Sequence, residues 1–239
     1  MQALPYRKDI DALRGVSVLL VVIYHAFPGI APGVFVGVDI FFVISGYLIT
    51  SIIIASIQNE NFTLKEFYSR RIRRLFPTLF IVLLISMVIG WLILYPTEYK
   101  QLAYHVKYSA IYFLNFKLID EIGYFDVESI YKPMLHLWTL SVEEQYYVLW
   151  PLILLITFKQ KIVKPVHVII VVAIASFLAN VYYINIYPED VYLHTATRVW
   201  QLAAGSILGI YHVNKNLSES KTFFLHWCLS DFTIGLIHQ

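Results

Sequence analysis

The sequence has 239 residues, of which 59% are hydrophobic and 14% are charged, and its mean hydropathy is +0.66. Soluble domains contain about 45–50% apolar and about 25% charged residues, so this composition excludes a soluble globule and predicts an all-α bundle of membrane-spanning helices. The net charge of +2 gives no indication of a nucleic-acid partner, and Cys228, the single cysteine, excludes an intrachain disulfide.

Apolar stretches long enough for a membrane helix, which needs about 20 residues, occur six times along the chain. They are residues 13–31, 36–57, 75–95, 137–157, 166–186 and 196–213. The first stretch follows Arg7 and Lys8, as the apolar part of a signal peptide would. Because no small-residue cleavage site comes after it, we interpret it as a retained helix.

Basic residues in the loops predict the orientation, because cytoplasmic loops hold the excess of lysine and arginine. Residues 58–74 contain a cluster of them, whereas residues 27–34 contain none. Lys159, Lys161 and Lys164 repeat the signal between the fourth and fifth stretches. The amino terminus is therefore predicted to be cytoplasmic, and residues 95–134 to be external.

Residues 99–118 are semi-apolar but contain four basic or polar side chains. These are Lys100, His105, Lys107 and Asn115. If this segment crossed the bilayer, the lysine-rich loop at residues 159–164 would face outward, so we expect an interfacial or re-entrant segment. The loop after it is acidic and predicted to be external. Its carboxylates are Asp120, Glu121, Asp126 and Glu128.

Arg14 and His25 stand in the first apolar stretch, where an ionisable side chain is costly and usually marks a functional interior. Eleven positions separate them, so both project from one helix face, about three turns and about 16 Å apart. Histidine is suited to general-base chemistry near neutral pH. Periodicity alone favours a plainer interpretation, in which His25 is a neutral core residue and Arg14 a topogenic charge.

Carboxylates also occur in the second and fourth stretches. Asp39 either orients His25 or lies in interfacial water, while Ser45 and Gly46 favour close helix packing over chemistry. Two adjacent carboxylates, Glu143 and Glu144, project about 100° apart and cannot both face lipid cheaply. At least one is expected to face a polar cavity, as a catalytic carboxylate, a partner for an arginine or a structural anchor.

Four arginines precede the third stretch. They are Arg70, Arg71, Arg73 and Arg74. Positions three apart share a helix face, so Arg70 with Arg73, or Arg71 with Arg74, would form a two-pronged clamp for a phosphate-bearing ligand. A topogenic signal with anionic-lipid contact explains the cluster equally well. Pro77 suits the first turn of the helix that follows.

No pair among the remaining histidines has metal-ligand spacing, and the sequence contains no thiolate cluster, glycine-rich phosphate loop or nucleophile elbow. We therefore predict no metal. No internal repeat is evident, which predicts a single membrane domain.

Four motifs occur along the chain in an order that characterises one family. They are Ile10–Gly15 with His25, Val36–Tyr47, the arginines at residues 70–74, and Leu140–Tyr147. Together they span roughly residues 5–212. On these motifs the chain resembles the acyltransferase-3 family of integral membrane O-acyltransferases.

The resemblance implies a multi-pass enzyme of the bacterial inner membrane that passes an acyl group, typically acetyl from cytoplasmic acetyl-CoA, to a hydroxyl of a cell-surface glycan. Arg14 and His25 fall on the family's essential pair. The arginines at residues 70–74 fall on its motif for the acyl donor, in a register that the sequence does not fix. His25 thereby becomes the foremost catalytic candidate, with Arg14, Asp39 and Glu143 as further site residues.

Residues Tyr124–Pro133 and Thr197–Leu202 look most like the branch of the family that carries an additional SGNH domain and modifies lipopolysaccharide O-antigen or peptidoglycan. Gln201 departs from the glutamate expected at its position. Members of this family have about ten spans, so the resemblance implies that residues 1–213 are the N-terminal part of a membrane domain, followed by a poorly defined tail at 214–239. An association with the missing C-terminal half or the SGNH domain is expected.

On this basis His25 is expected to deprotonate the glycan hydroxyl as it attacks the thioester, within a polar cavity lined by the first, second and fourth spans. Asp39 or Glu143 would orient the imidazole. A transient acyl-enzyme is an alternative. Two other functions stay open, a transporter-like subunit in which the same residues form a proton or substrate pathway, and an inactive truncated remnant.

Overall fold

The computed structural model describes residues 7–27, 32–122, 132–160 and 164–215. Within these ranges the chain is helical and forms no strand, so the predicted all-α class is confirmed. The helices are α1 (Lys8–Ala26), α2 (Val36–Gln58), α3 (Leu64–Ile93), α4 (Pro96–Ala110), α5 (Leu114–Glu121), α6 (Leu137–Gln160), α7 (Pro165–Tyr183), α8 (Pro188–Leu193) and α9 (Thr195–Lys215). A short 3₁₀ turn, Pro32–Phe35, precedes α2.

The six predicted spans lie largely on six of these helices, each of which has at least 19 residues. Three of them, α2, α3 and α7, are long and apolar enough to cross a membrane. The other three, α1, α6 and α9, are more polar and include Arg14 and Glu143. The chain is thus a membrane protein, and the number of six crossings stays a prediction.

Helix α3 begins at Leu64, well before the predicted start of the third span at residue 75. Thr63 caps it by accepting a hydrogen bond from the backbone N–H of Glu66. The four arginines therefore lie on the helix itself. The prediction that Pro77 occupies the first turn is wrong, because the cap starts the helix about four turns earlier and leaves Pro77 in its interior.

Helices α4 and α5 occupy the segment for which no crossing is predicted. They have 15 and 8 residues, and the chain turns between them at residues 111–113. A helix the length of α4 reaches about 22 Å, less than the hydrocarbon core of about 30 Å. These lengths support an interfacial or re-entrant segment.

The chain divides into two compact units. The first comprises the described parts of residues 1–61, 163–173 and 200–239, and α2 is its central helix. On one side α2 packs antiparallel against α1, where a Cβ added to Gly37 would lie 2.7 Å from the carbonyl oxygen of Ser17. Further along the same pair, the guanidinium carbon of Arg14 lies 5.5 Å from the centre of the Phe41 ring.

On its other side α2 packs against α9 in backbone contact. A Cβ on Gly46 would overlap the carbonyl oxygen of Leu202, and a Cβ on Gly205 would overlap that of Val43. Small residues let membrane helices approach this closely. The prediction that Gly46 serves helix packing is confirmed.

The α2–α9 contacts also fix the relative direction of the two helices. Three contacts advance together along both helices, namely Asp39 with Gln201, Val43 with Gly205, and Tyr47 with Gly209. The helices therefore run parallel. The predicted topology, with three crossings between them by α3, α6 and α7, agrees with this direction, whereas an additional crossing at residues 99–118 would reverse it.

The second unit comprises residues 62–162 and 174–199, within the described ranges. A closed set of hydrogen bonds joins α5, α6 and the start of α9. Gln145 donates to Asn115 at 2.9 Å, Asn115 to Thr195 at 2.9 Å, and Thr195 to the amide oxygen of Gln145 at 2.5 Å. Because the members satisfy one another, this polar network can be enclosed without leaving its amide groups unpaired.

Candidate active site

The first unit contains Arg14 and His25 on α1, a continuous helix, so their spacing keeps them on one face as predicted. The Nδ1 atom of His25 lies 2.8 Å from the carbonyl oxygen of Val21, one turn earlier. The His25 ring also meets the edge of the Tyr24 ring, with centroids 5.2 Å apart. The His25 side chain is exposed, and a backbone bond and an aromatic neighbour orient its imidazole.

Asp39, four positions into α2, accepts a hydrogen bond from the Nε2 atom of Gln201 at 3.2 Å. Gln201 is 1% exposed, and its buried Oε1 atom has no hydrogen-bond partner within the part of the chain that the structure describes. A glutamine donates to a carboxylate at any pH, whereas the glutamate expected from the family could do so only when protonated. The departure at residue 201 thus supplies Asp39 with a permanent donor, a contact that sequence reasoning missed.

The predicted donor arginines lie in the second unit, on the first three turns of α3. Arg70 pairs with Glu66 one turn earlier, and both side chains are largely exposed. Arg73 and Arg74 are also exposed. Arg71 differs from them, because it is partly buried and its side chain points to α6.

On α6 the adjacent carboxylates Glu143 and Glu144 are 7% and 9% exposed. The Nη2 atom of Arg71 lies 2.6 Å from an oxygen of Glu144, and the Arg71 guanidinium carbon lies 3.7 Å from the centre of the Tyr147 ring. The Tyr147 hydroxyl in turn donates to Glu143 at 2.6 Å. A continuous set of contacts therefore joins Arg71, one of the arginines predicted to bind the acyl donor, to both adjacent carboxylates of α6.

A carboxylate that pairs with an arginine is among the roles expected from the sequence, and Glu144 has that role. The contact of Tyr147 was not expected, although the spacing from Glu143 to Tyr147 puts both side chains on one helix face. The roles of Arg14, His25, Asp39 and Glu143 in catalysis stay predictions.

Other predictions fall partly outside the described ranges. Residues 123–131, with Asp126 and Glu128, and residues 216–239, with Cys228, lie there. Among the described residues, no group of three or more His, Cys, Asp or Glu side chains is arranged to hold a metal. The absence of a metal from the working protein stays a prediction.

Comparison with known proteins concerns the chain as a whole. The family model described as an acyltransferase domain matches residues 7–228. No solved structure matches the chain.

Three curated proteins illustrate the sequence similarity. A protein of Haemophilus influenzae without an assigned function is 36% identical over 209 residues, which are 80% of this chain and 85% of that protein. The peptidoglycan O-acetyltransferase OatA of Listeria monocytogenes is 36% identical over 210 residues, 85% of this chain and 33% of that protein. The O-acetyltransferase OatA of Staphylococcus aureus is 36% identical over 226 residues, 90% of this chain and 37% of that protein. The chain thus spans about a third of the length of the two acetyltransferases.

Proposed function

Because the chain belongs to the acyltransferase-3 family, we propose that it acts as an O-acetyltransferase that moves an acetyl group from cytoplasmic acetyl-CoA to a hydroxyl of peptidoglycan. Family membership confirms the resemblance expected from the four motifs, and with it the enzyme class of O-acyltransferases. The name of the Listeria relative favours peptidoglycan over lipopolysaccharide as the acceptor. The inner membrane and a cytoplasmic amino terminus are parts of this proposal.

The hydrogen bond between His25 and Val21 carries the proposal. A carbonyl oxygen only accepts hydrogen bonds, so the Nδ1 atom of His25 holds the proton. The Nε2 atom of the neutral imidazole then holds the lone pair that a general base needs. In this tautomer the neutral His25 side chain can take a proton from an incoming hydroxyl.

The reaction needs no group beyond the two substrates and these side chains. The hydroxyl oxygen attacks the thioester carbonyl of acetyl-CoA, the new C–O bond forms, and the C–S bond breaks. The hydroxyl proton passes to His25 and then to the sulfur, so CoA leaves as a thiol and the imidazole is neutral again. Asp39 or Glu143 stabilises the imidazolium, and the arginine cluster at residues 70–74 binds the phosphates of CoA.

Membrane vesicles that contain the chain, supplied with radiolabelled acetyl-CoA and peptidoglycan fragments, test the proposal. We expect label in the glycan with the wild-type chain and a loss of about 100-fold or more with His25→Ala, because general-base catalysis contributes that much. Immunoblots of the membrane fraction control for protein level. Retained transfer in the variant would remove His25 from the mechanism.

The same assay separates the proposed acetyltransferase from both alternatives. A transporter-like subunit would give neither labelled glycan nor hydrolysis of acetyl-CoA, and an inactive remnant would also transfer nothing. Either result with the wild-type chain overturns the proposed acetyltransferase.

A further inference from the structure

The four arginines of α3 fall into two groups by their surroundings. Arg71 is the member that contacts another helix among the described residues, and 23% of its side chain is exposed, against 54% for Arg70. Arg73 and Arg74 are exposed and form no ion pair within the described ranges. The exposed arginines can turn toward a ligand, whereas Arg71 is already engaged.

Two partners engage Arg71, while its buried Nε atom has no hydrogen-bond partner among the described residues. Glu144 takes an N–H at 2.6 Å, and the Tyr147 ring lies against the guanidinium face at 3.7 Å. A phosphate that bound Arg71 would have to compete with a carboxylate that is itself 9% exposed. Separating the pair would leave Glu144 as an enclosed charge without its counter-ion, which is strongly unfavourable.

Tyr147 extends the influence of Arg71 to the other carboxylate. Its ring contacts the guanidinium while its hydroxyl donates to Glu143 at 2.6 Å, so the position of the ring sets the direction of that hydrogen bond. A second contact supports the same helix crossing, because Tyr68 on α3 donates to the backbone carbonyl of Val148 at 2.7 Å. The geometry around Glu143 therefore depends on Arg71 through the Tyr147 ring.

From these contacts we infer that Arg71 is a positioning residue, which holds Tyr147 and through it the carboxylate of Glu143, while Arg70, Arg73 and Arg74 bind the phosphates of the acyl donor. The inference rests on the proposed function, since it divides the arginine cluster between two tasks in that reaction. It also resolves the register of the cluster. Of the two phosphate clamps that the spacing allows, Arg71 with Arg74 is excluded. Arg70 and Arg73, one helical turn apart, form the clamp instead.

Matched substitutions on one helix separate the two tasks. We expect Arg71→Gln to lower kcat by about 10–100-fold, the loss that a misplaced reacting group causes, and to leave KM for acetyl-CoA within about twofold. Arg73→Gln, the same change two positions away, is expected to raise KM for acetyl-CoA instead. An increase in KM with unchanged kcat for Arg71→Gln would overturn the inference.

Two further variants guard against misfolding as the cause. Tyr147→Phe removes one hydroxyl, keeps the aromatic ring under Arg71, and is expected to lower kcat at unchanged KM. The double variant Arg71→Glu with Glu144→Arg restores an ion pair in reversed order, so we expect it to recover kcat relative to either single change. Failure of both expectations, with the proteins present at wild-type level in the membrane, would contradict the positioning role.

Binding of acetyl-CoA, measured by calorimetry on the detergent-solubilised chain, decides the assignment without turnover. Arg71→Gln should bind with the wild-type Kd, and Arg73→Gln should bind more weakly. Weaker binding by Arg71→Gln alone overturns the inference. Equal binding of acetyl-CoA by the wild-type chain, Arg71→Gln and Arg73→Gln, together with transfer by the wild-type chain, would exclude Arg73 as a phosphate ligand. A wild-type chain that binds acetyl-CoA and transfers nothing overturns the proposed function, while the binding comparison still decides the assignment of Arg71.

Discussion

Different forces maintain the Asp39–Gln201 hydrogen bond of the first unit and the Arg71–Glu144 ion pair of the second unit. Asp39 and Gln201 stand on helices whose backbones touch, so their separation is set by steric contact at Gly46 and Gly205. Arg71 reaches Glu144 with a long side chain, so that contact depends on opposite charges and on an aromatic ring. An added side chain at Gly46 or Gly205 would therefore disrupt the first arrangement, the Asp39–Gln201 contact. Loss of either charge would disrupt the second arrangement, the Arg71–Glu144 ion pair.

Substitution of Gly205 by leucine is expected to break the first arrangement and to have the largest effect. The new side chain would enter the space of the Val43 backbone, so α2 and α9 would have to separate. We expect a loss of about 3 kcal/mol in the free energy of unfolding, measured by denaturation in detergent. Gly15→Ala is the control, because nothing lies within 4 Å of its added methyl group. Equal losses in both variants would contradict the steric explanation.

Glu144→Gln tests the second arrangement, because it leaves Arg71 without its counter-ion. We expect a loss of about 2 kcal/mol in the free energy of unfolding, less than for a fully buried pair because Arg71 is partly exposed. Glu66→Gln is the matched change at an exposed pair with Arg70, where the loss should stay below about 0.5 kcal/mol. If both substitutions cost the same, burial does not strengthen the Arg71 pair.

Gln201→Leu sharpens the comparison, since it removes the hydrogen bond to Asp39 and leaves the glycine contacts in place. The expected loss is about 1 kcal/mol at neutral pH. Gln201→Glu should be less stable at high pH than at low pH, because two carboxylates at this distance have to share a proton. Unfolding measured across the pH range distinguishes the two, and a pH-independent Gln201→Glu variant would refute the contact with Asp39.

The smallest expected effect lies at the start of α1. Arg7 donates to Asp9 at 2.9 Å and lowers the pKa of that carboxyl. A lowered pKa in the folded state contributes stability above the pKa of the unfolded chain, and this is lost as the pH falls through the folded value. Asp9→Asn should therefore cost about 0.3 kcal/mol at neutral pH and nothing in strong acid. A loss that persists in acid would point to packing as its cause.

Much of the fold was predictable from the sequence, because lipid forces each crossing into a long apolar helix. The same reasoning identified Gly46 as a packing residue. That residues 99–118 do not cross stays a prediction, which the short lengths of α4 and α5 support. The reasoning failed at Pro77, where the polar and basic start of α3 carries no hydrophobic signal. Only the cap at Thr63 marks where that helix begins.

The candidate site was predictable as a set of residues and not as a set of pairs. Arg71 and Glu144 are far apart in the sequence, and nothing in the spacing of either motif says which arginine faces α6. The partner of Asp39 was equally hidden, since Gln201 drew notice only as a departure from the family. Local spacing does identify Tyr147 with Glu143, because that contact lies within one helix.

The parallel packing of α2 against α9 also limits which insertions and deletions the sequence can accept during evolution. Gln201, Gly205 and Gly209 repeat every four residues along α9 and meet α2 together. One inserted residue between Gln201 and Gly205 would rotate the amide by about 100° away from its carboxylate partner. Insertions and deletions should therefore be absent from this short stretch in homologous chains, even where the side chains around it have diverged.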